Sequence, residues 1–379
     1  MKKVLLIADV NSIHIYNFCK NFLSHKLFDV TLLDVGGCEG AVKEDYLNFY
    51  QKLNYKIVYS KGLNYGRWIY VKSFYKVLKG LGKFDYIHIH FVSHYLCPVV
   101  SLLSKNFEHV LLTYWGSDLF RSSAIKRLMT LPLISKADKI TLLTKEMADK
   151  FASLSYPYRR NYKKCIVIDY GNPFFESIKY NQKIGFTPLK AKKTIGLNPN
   201  KITVAIGYSW RKEMQQYKAL ENILTSEFRF KDSVQFVIPA VGMDSINKDQ
   251  IEHLLKETGV DYYFQEKFYN ENEMPLFRIA IDVFIHPQTT DSLSCAMMEH
   301  LYSGSIVLNG SWLKYNVLDE NDVEYYKFDD FSHLPFLLNK MISKFELVRG
   351  QTKNNQNKLD QFASWNFWDS KWSSLYDEE

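Results

Sequence analysis

The chain is expected to fold as α/β, in two successive doubly wound domains of parallel sheet. Three observations predict this. Short β-branched and aliphatic runs alternate with longer segments of helical periodicity from one end to the other. The runs are nearly continuous in apolar residues, as strands covered by helices on both faces are. At roughly 100–200 residues per domain, 379 residues also suit two or three domains.

In the first half the strand candidates are residues 4–8, 30–34, 56–59, 86–91, 110–113, 139–143 and 165–169. The N-terminal Lys2-Lys3 and the apolar stretch behind them imitate a signal peptide, but the stretch contains Asp9 and no small-residue cleavage site follows. It is read as a buried first strand. The turn Tyr170-Gly171-Asn172-Pro173 and a polar stretch at 180–188 mark the join, which places the first domain at 1–178. Strand candidates then resume at 203–207, 234–240, 261–264, 283–286 and 305–309, within a second domain at 190–355. Trp365, Trp368 and Trp372, spaced i, i+3 and i+7, share one face of a last helix. Residues 356–379 are expected to return to the N-terminal domain.

Composition narrows the function. With 46% apolar and 23% charged residues the chain is globular, not disordered. Five widely spaced cysteines (Cys19, Cys38, Cys97, Cys165, Cys295) with no C-x-x-C argue against a disulfide framework or zinc ribbon and for a reducing cytoplasm. No stretch approaches the ~20 apolar residues that span a bilayer, so a soluble or peripheral protein is expected. Residues 1–180 hold 26 Lys and Arg against 14 Asp and Glu, whereas the remainder has an acidic excess. The first half is therefore expected to meet something anionic. A basic, aromatic stretch from Tyr65 through Trp68 to Lys83, with Arg121, Lys126, Arg127, Arg159, Arg160, Lys163 and Lys164, suits an anionic membrane surface or a diphosphate-linked lipid, although a solvated face has the same composition. These cations lie in no recognised nucleic-acid module, and no nucleic-acid partner is expected.

Ligands of open α/β sheets bind at the carboxyl ends of strands, which directs attention to the segments behind them. Behind the first strand, Asn11, Ser12 and His14 either start a helix or contact a substrate. His88 and His90 share a strand face, but no third ligand is evident and no metal is expected. After the fifth strand come Trp115, Gly116 and Asp118, whose carboxylate suits sugar hydroxyls or a helix cap. Gly207, Arg211 and Lys212 follow the first strand of the second half, where two cations suit a diphosphate. The most specific segment is Asp291-Ser292-Leu293-Ser294-Cys295-Ala296-Met297-Met298-Glu299. There a loop leads into a helix whose N–H groups favour phosphate, and two carboxylates stand eight residues apart. The bland alternative makes Asp291 a cap and Glu299 a solvated helix residue.

This segment, with the Ser303-Gly304-Ser305-Ile306-Val307 that follows, resembles the E-x7-E region of retaining glycosyltransferases of the GT-B fold, family 4 above all. Asp9–His14, His88–His90, Tyr170–Pro173 and Gly207–Lys212 fall in the order of that family's other landmarks. The resemblance implies two Rossmann-like domains facing a central cleft, a nucleotide-sugar donor (UDP-sugar) on the second and a lipid-linked or glycan acceptor on the first. It implies that Asp291 contacts the transferring sugar, Glu299 the ribose and Ser292, Leu293 and Ser294 the diphosphate. Arg211 and Lys212 would neutralise the leaving group, beside Gly207, while residues around Tyr262–Phe268, Tyr262 and Phe264 among them, would border the base. Asn11, Ser12, His14, His90, Trp115 and Asp118 would meet the acceptor. No D-x-D pair is present, so neither a metal nor another cofactor is expected. The sequence departs from the family in Asp291 for Glu, in Ser292 and Ser294 for glycine, and in Trp115 for a histidine. A nucleotide-sugar 2-epimerase and a non-catalytic partner subunit share the same expected fold.

Overall fold

The computed structural model describes residues 1–37 and 42–377. They form two compact units, Met1–Pro173 with Trp365–Glu379, and Phe174–Ser364. The first is built on a seven-stranded sheet in the order β3-β2-β1-β4-β5-β6-β7. Its strands are β1 (Lys2–Ala8), β2 (Phe28–Asp34), β3 (Lys56–Tyr59), β4 (Phe84–His90), β5 (Phe107–Thr113), β6 (Lys139–Leu142) and β7 (Cys165–Val167). The second has six strands in the order β10-β9-β8-β11-β12-β13. These are β8 (Ile202–Ile206), β9 (Val234–Pro239), β10 (Asp261–Gln265), β11 (Val283–His286), β12 (Ile306–Gly310) and β13 (Tyr326–Phe328). Neighbouring strands pair in parallel, with β1 beside β4 and β8 beside β11 at the points where strand order reverses. Val4–Ile7 and Val283–Ile285 are fully buried, as expected of strands covered on both faces.

Seven helices matter to the site and surface: α1 (Ile13–Asn21), α2 (Arg67–Gly80), α3 (Ala124–Lys136), α4 (Pro188–Ile195), α5 (Glu273–Ala280), α6 (Cys295–Ser303) and α7 (Trp365–Ser373). On α4, Lys192 forms a buried ion pair with Asp282, whose Oδ2 also accepts from Thr203 N at 2.8 Å. This contact ties α4 and β8 to the start of β11. Among the described residues, no helix is long and apolar enough to cross a membrane. Cys19, Cys97, Cys165 and Cys295 are free thiols; Cys38 lies outside the described residues.

The boundaries differ from those read in the sequence. The first break falls after Pro173, not at 178, and 180–188 is not a linker. Phe175–Lys183 is a helix that buries Phe175 and Ile178 in the second unit's core, with Phe175 stacked on Tyr302 at 3.9 Å. Residues 356–364 also stay with the second unit, because Leu359, Phe362 and Ala363 pack into the same core. Only the chain from Trp365 onward joins the first unit. There Trp372 packs against Phe18 at 5.0 Å and Tyr170 at 5.2 Å, and its indole N–H donates to Asp169 O at 3.1 Å. Gly171 admits this approach, since a Cβ there would stand 2.3–2.5 Å from Trp365.

Candidate functional site

The second unit gathers polar side chains at the carboxyl end of its sheet. β11 ends at His286, which is fully buried between Phe284 and Asn309, its register partner on β12. Asn309 Nδ2 donates to Gly310 O and Leu313 O, which turns Oδ1 toward His286 Nδ1 at 2.9 Å. Gln288 is oriented in the same way. Its Nε2 donates to Thr290 O, while Oε1 accepts from Tyr208 OH at 2.9 Å and lies 3.3 Å from His286 Nε2. Trp312 Nε1 donates to Gln288 O at 2.7 Å.

Asp291 closes this network. Its Oδ1 accepts from Ser292 N at 2.8 Å, its Oδ2 accepts from Tyr315 OH at 3.1 Å, and His286 Nε2 stands 4.0 Å away. Half-buried at the mouth of the sheet, it is held from three elements. Ser294 caps α6, its Oγ accepting from Met297 N at 3.1 Å. Leu293 is buried in the core. The phosphate-directed N–H groups expected across 292–294 are therefore reduced, since Ser292 N is committed to Asp291.

Glu299 is not a solvated helix residue. Its side chain is 4% exposed and pairs with Arg278 of α5, Nε to Oε2 at 2.8 Å. Arg278 also donates through Nη1 to His300 Nε2 at 3.2 Å. Burial first, then Arg278 and His286, hold His300 well below the ordinary histidine range. Gly207 follows β8 at φ +66°, where a Cβ would come within 3.2 Å of Met214. Behind it Arg211 and Lys212 are exposed; their carbonyls accept from Met214 N and Gln215 N, while among the described residues their side chains make no hydrogen bond or ion pair. Glu213 O accepts from Thr289 N at 2.9 Å, which joins this loop to the one carrying Asp291.

Tyr262 and Phe264 are packed into the sheet and are not exposed beyond its carboxyl end. Both lie within edge strand β10, half-buried against the core, and Tyr262 OH donates to Glu252 at 2.8 Å. Phe268, beyond the strand's carboxyl end, is 85% exposed. A separate pocket of about 400 Å³ opens at the far end of α6, lined by Gln182, Tyr302, Arg349 and Lys353. It contains none of the expected residues.

In the first unit, rings converge at the carboxyl ends of β1, β4, β5 and β7. His14 of α1 meets Trp115 edge-on at 4.8 Å, and Trp115 lies 5.0 Å from Tyr170. His90 Nδ1 and Tyr170 OH share a 2.6 Å hydrogen bond, and Trp365 is 6.3 Å from Tyr170. Among the described residues His90 Nε2, Trp115 Nε1 and Trp365 Nε1 are buried without a hydrogen-bond partner. Burial pushes His14 down to about 4 and His90 well below the usual range, so both rings are neutral at pH 7. His88 is engaged on both nitrogens, by Tyr376 OH at 2.6 Å and Thr113 Oγ1 at 2.7 Å.

Asp118 takes the alternative role of a carboxylate engaged by backbone N–H groups. Its two oxygens accept from the backbone of Val92 (2.8 Å) and Trp115 (2.9 Å), a clamp between two loops. Burial raises its carboxyl to about 6. Asn11 Oδ1 accepts from Lys43 N at 2.8 Å, and Ser12 stands at the N-cap of α1 without a side-chain capping bond. Tyr170, Trp365, His286, Gln288, Tyr208, Tyr315 and Arg278 were not read as site residues. Tyr170 was read as a turn and Trp365 as a packing face, and His286 carried a signal as a polar residue ending an apolar strand.

Around the start of α2 the first unit also presents a basic, apolar surface. Trp68 is 89% exposed and Ile125 on α3 is 73% exposed, with Leu63, Ile69 and Leu128 also open. Arg67 lies over the Tyr95 ring at 5.9 Å. His94 is lowered by burial and then by Lys126 and Arg67, which places both cations about it. Arg127 and Lys164 are instead tied to backbone carbonyls.

Residues 3–145 match the family described as glycosyl transferase 4-like. A comparison with curated proteins finds none that matches. Among solved structures, HepE of Anabaena in complex with UDP and glucose is 11% identical, with a TM-score of 0.71 over 99% of each chain. Sucrose-phosphate synthase of Thermosynechococcus elongatus is 12% identical, with a TM-score of 0.70 over 99% of this chain and 98% of that one. UDP-GlcNAc 2-epimerase of Neisseria meningitidis bound to UDP-GlcNAc is 15% identical, with a TM-score of 0.64 over the whole of both chains. The two parallel-sheet units thus have the GT-B fold.

Proposed function

For a chain of GT-B fold whose residues 3–145 match a glycosyl transferase 4-like family, we propose transfer of a sugar from a UDP-sugar to a lipid-linked saccharide, with retention of configuration and without a metal. The observation that carries this reading is the network holding Asp291 beside the N-terminus of α6, at the carboxyl ends of β11 and β12. Asp291 would meet the transferring sugar, and Arg211 and Lys212 would take up charge on the departing diphosphate. Glu299, oriented through Oε2 by Arg278, would meet the ribose. Of the segment 262–268, exposed Phe268 would border the base. In the first unit His14, His90 and Trp115 would receive the acceptor, on rings and N–H donors suited to a saccharide.

The test begins with thermal stabilisation by UDP, GDP, dTDP and ADP and their sugar conjugates. A ligand at 100 times its Kd should add about 2.7 kcal/mol of stability. Asp291→Ala is expected to lower kcat by about 100- to 1,000-fold with a much smaller change in donor Kd, the pattern of a group acting mainly in the transition state. An unchanged kcat would remove Asp291 from the reaction. The epimerase neighbour supports a second reading. Interconversion of UDP-sugars without any acceptor would favour it, whereas UDP release that requires an acceptor favours transfer.

The basic, apolar face about Trp68 is assigned to the anionic inner surface of the cell membrane, where the product would enter surface polysaccharide or glycolipid. Replacing Trp68 and Ile69 by Ala should weaken binding to phosphatidylglycerol vesicles by at least about tenfold, since burying each such side chain is worth about 1.5–3 kcal/mol. Equal sedimentation of variant and parent would exclude this face.

A further inference from the structure

Three oxygen acceptors surround the buried ring of His286. Asn309 Oδ1 faces Nδ1, while Gln288 Oε1 and Asp291 Oδ2 face Nε2 at 3.3 and 4.0 Å. Neither amide can turn over without loss, because each NH2 group already donates to backbone carbonyls. A neutral ring therefore carries its proton on Nδ1, toward Asn309, and turns a lone pair on Nε2 toward a lone pair of Gln288. A protonated ring satisfies every acceptor and pairs with Asp291.

Burial opposes that charge and prevails, holding the imidazole below its ordinary range; Asp291, Asn309 and Gln288 act the other way. Other titratable groups face the ring: His300 on α6, which it acts upon, and the phenols of Tyr208 and Tyr315, stacked on it at 6.1 and 6.2 Å; Phe284 packs against both imidazoles. Arg278 on α5 acts on His300. Burial is thus opposed at His286 by one carboxylate and two amide oxygens, and a further negative charge in the same loop adds to their side.

We propose that His286 is a proton-accepting positioning residue of the donor site, neutral when the site is empty and an imidazolium when a diphosphate is bound. This assignment rests on the donor site at Asp291 and the N-terminus of α6. The proton comes from solvent and goes to Nε2, where its hydrogen bond to Gln288 and its charge beside Asp291 fix the loop. Protonation raised by the ligand is complete below the free ring's range and lost as pH rises through the bound ring's range. Affinity therefore grows as pH falls.

UDP-glucose is a suitable probe, because its phosphates do not titrate near neutrality. Calorimetry at pH 7.5 in two buffers of different ionisation enthalpy should show net proton uptake on binding. The Kd should fall about tenfold between pH 8.5 and 6.5, within the limit of tenfold per pH unit for one proton. Both effects should vanish in His286→Gln. In Gln288→Glu the added carboxylate should protonate the ring beforehand, so that binding persists with less uptake. Binding without uptake in the parent, or uptake that survives His286→Gln, overturns the assignment and leaves the donor site standing. Failure of the parent to bind any nucleotide sugar across this pH range overturns both.

Discussion

Trp372→Ala should cost the first unit about 3–5 kcal/mol, the range for truncating a large buried aromatic side chain. Trp372 is fully buried, packs on Phe18 and Tyr170, lies 6.1 Å from His88, and donates its indole N–H to Asp169 O. Its loss opens a cavity and frees a buried carbonyl at once. The same segment carries Tyr376, whose OH bonds His88 and whose carbonyl accepts from Tyr86 OH at 2.9 Å and Lys2 Nζ at 2.7 Å. In a unit of this size the melting temperature should fall by about 10 °C, at roughly 2–4 °C per kcal/mol. A fall of less than about 2 °C would mean that α7 merely rests on the unit.

Removing Arg278 should be as severe, for an electrostatic reason. Arg278→Met leaves the Glu299 carboxylate buried without its counter-charge, a change that costs about 3–5 kcal/mol. Adding Glu299→Leu removes the stranded charge and should restore most of that stability, because well-packed apolar side chains replace buried ion pairs at little cost. The double variant separates fold from binding. It should melt near the parent yet bind UDP-glucose at least about tenfold more weakly, as expected if Glu299 grips the ribose. A restored melting temperature with an unchanged Kd would confine the pair to a structural role.

Much of the fold was legible because parallel strands buried on both faces read as apolar runs. The three-residue strand β13, Tyr326–Phe328, buries only Phe328 fully and left no such run. The helix Phe175–Lys183 was read in part as linker because it buries only Phe175 and Ile178 and exposes polar residues elsewhere. For the candidate site, the loop carrying Asp291 was legible from its acid, serines and following helix. Its supporting shell was not. Nothing about an isolated Arg278, Gln288 or Tyr315 marks it as a partner, since its role depends on elements folded beside it.

Asp118 and Glu299 show the division most clearly. In sequence each offers a carboxylate downstream of a strand end, Asp118 in a short turn and Glu299 within the helix that follows. Tertiary structure spends both oxygens of Asp118 on backbone amides and seals Glu299 against Arg278. By itself the sequence determined the two parallel-sheet units, through hydrophobic periodicity, and the strand ends where ligands can bind. Periodicity and turn chemistry are local properties. Only the tertiary structure decided where the C-terminal helix docks and which polar groups meet, as in the bond between His88 and Tyr376, 288 residues apart. A buried polar group must find a partner, and that partner is supplied by whichever element packing brings beside it.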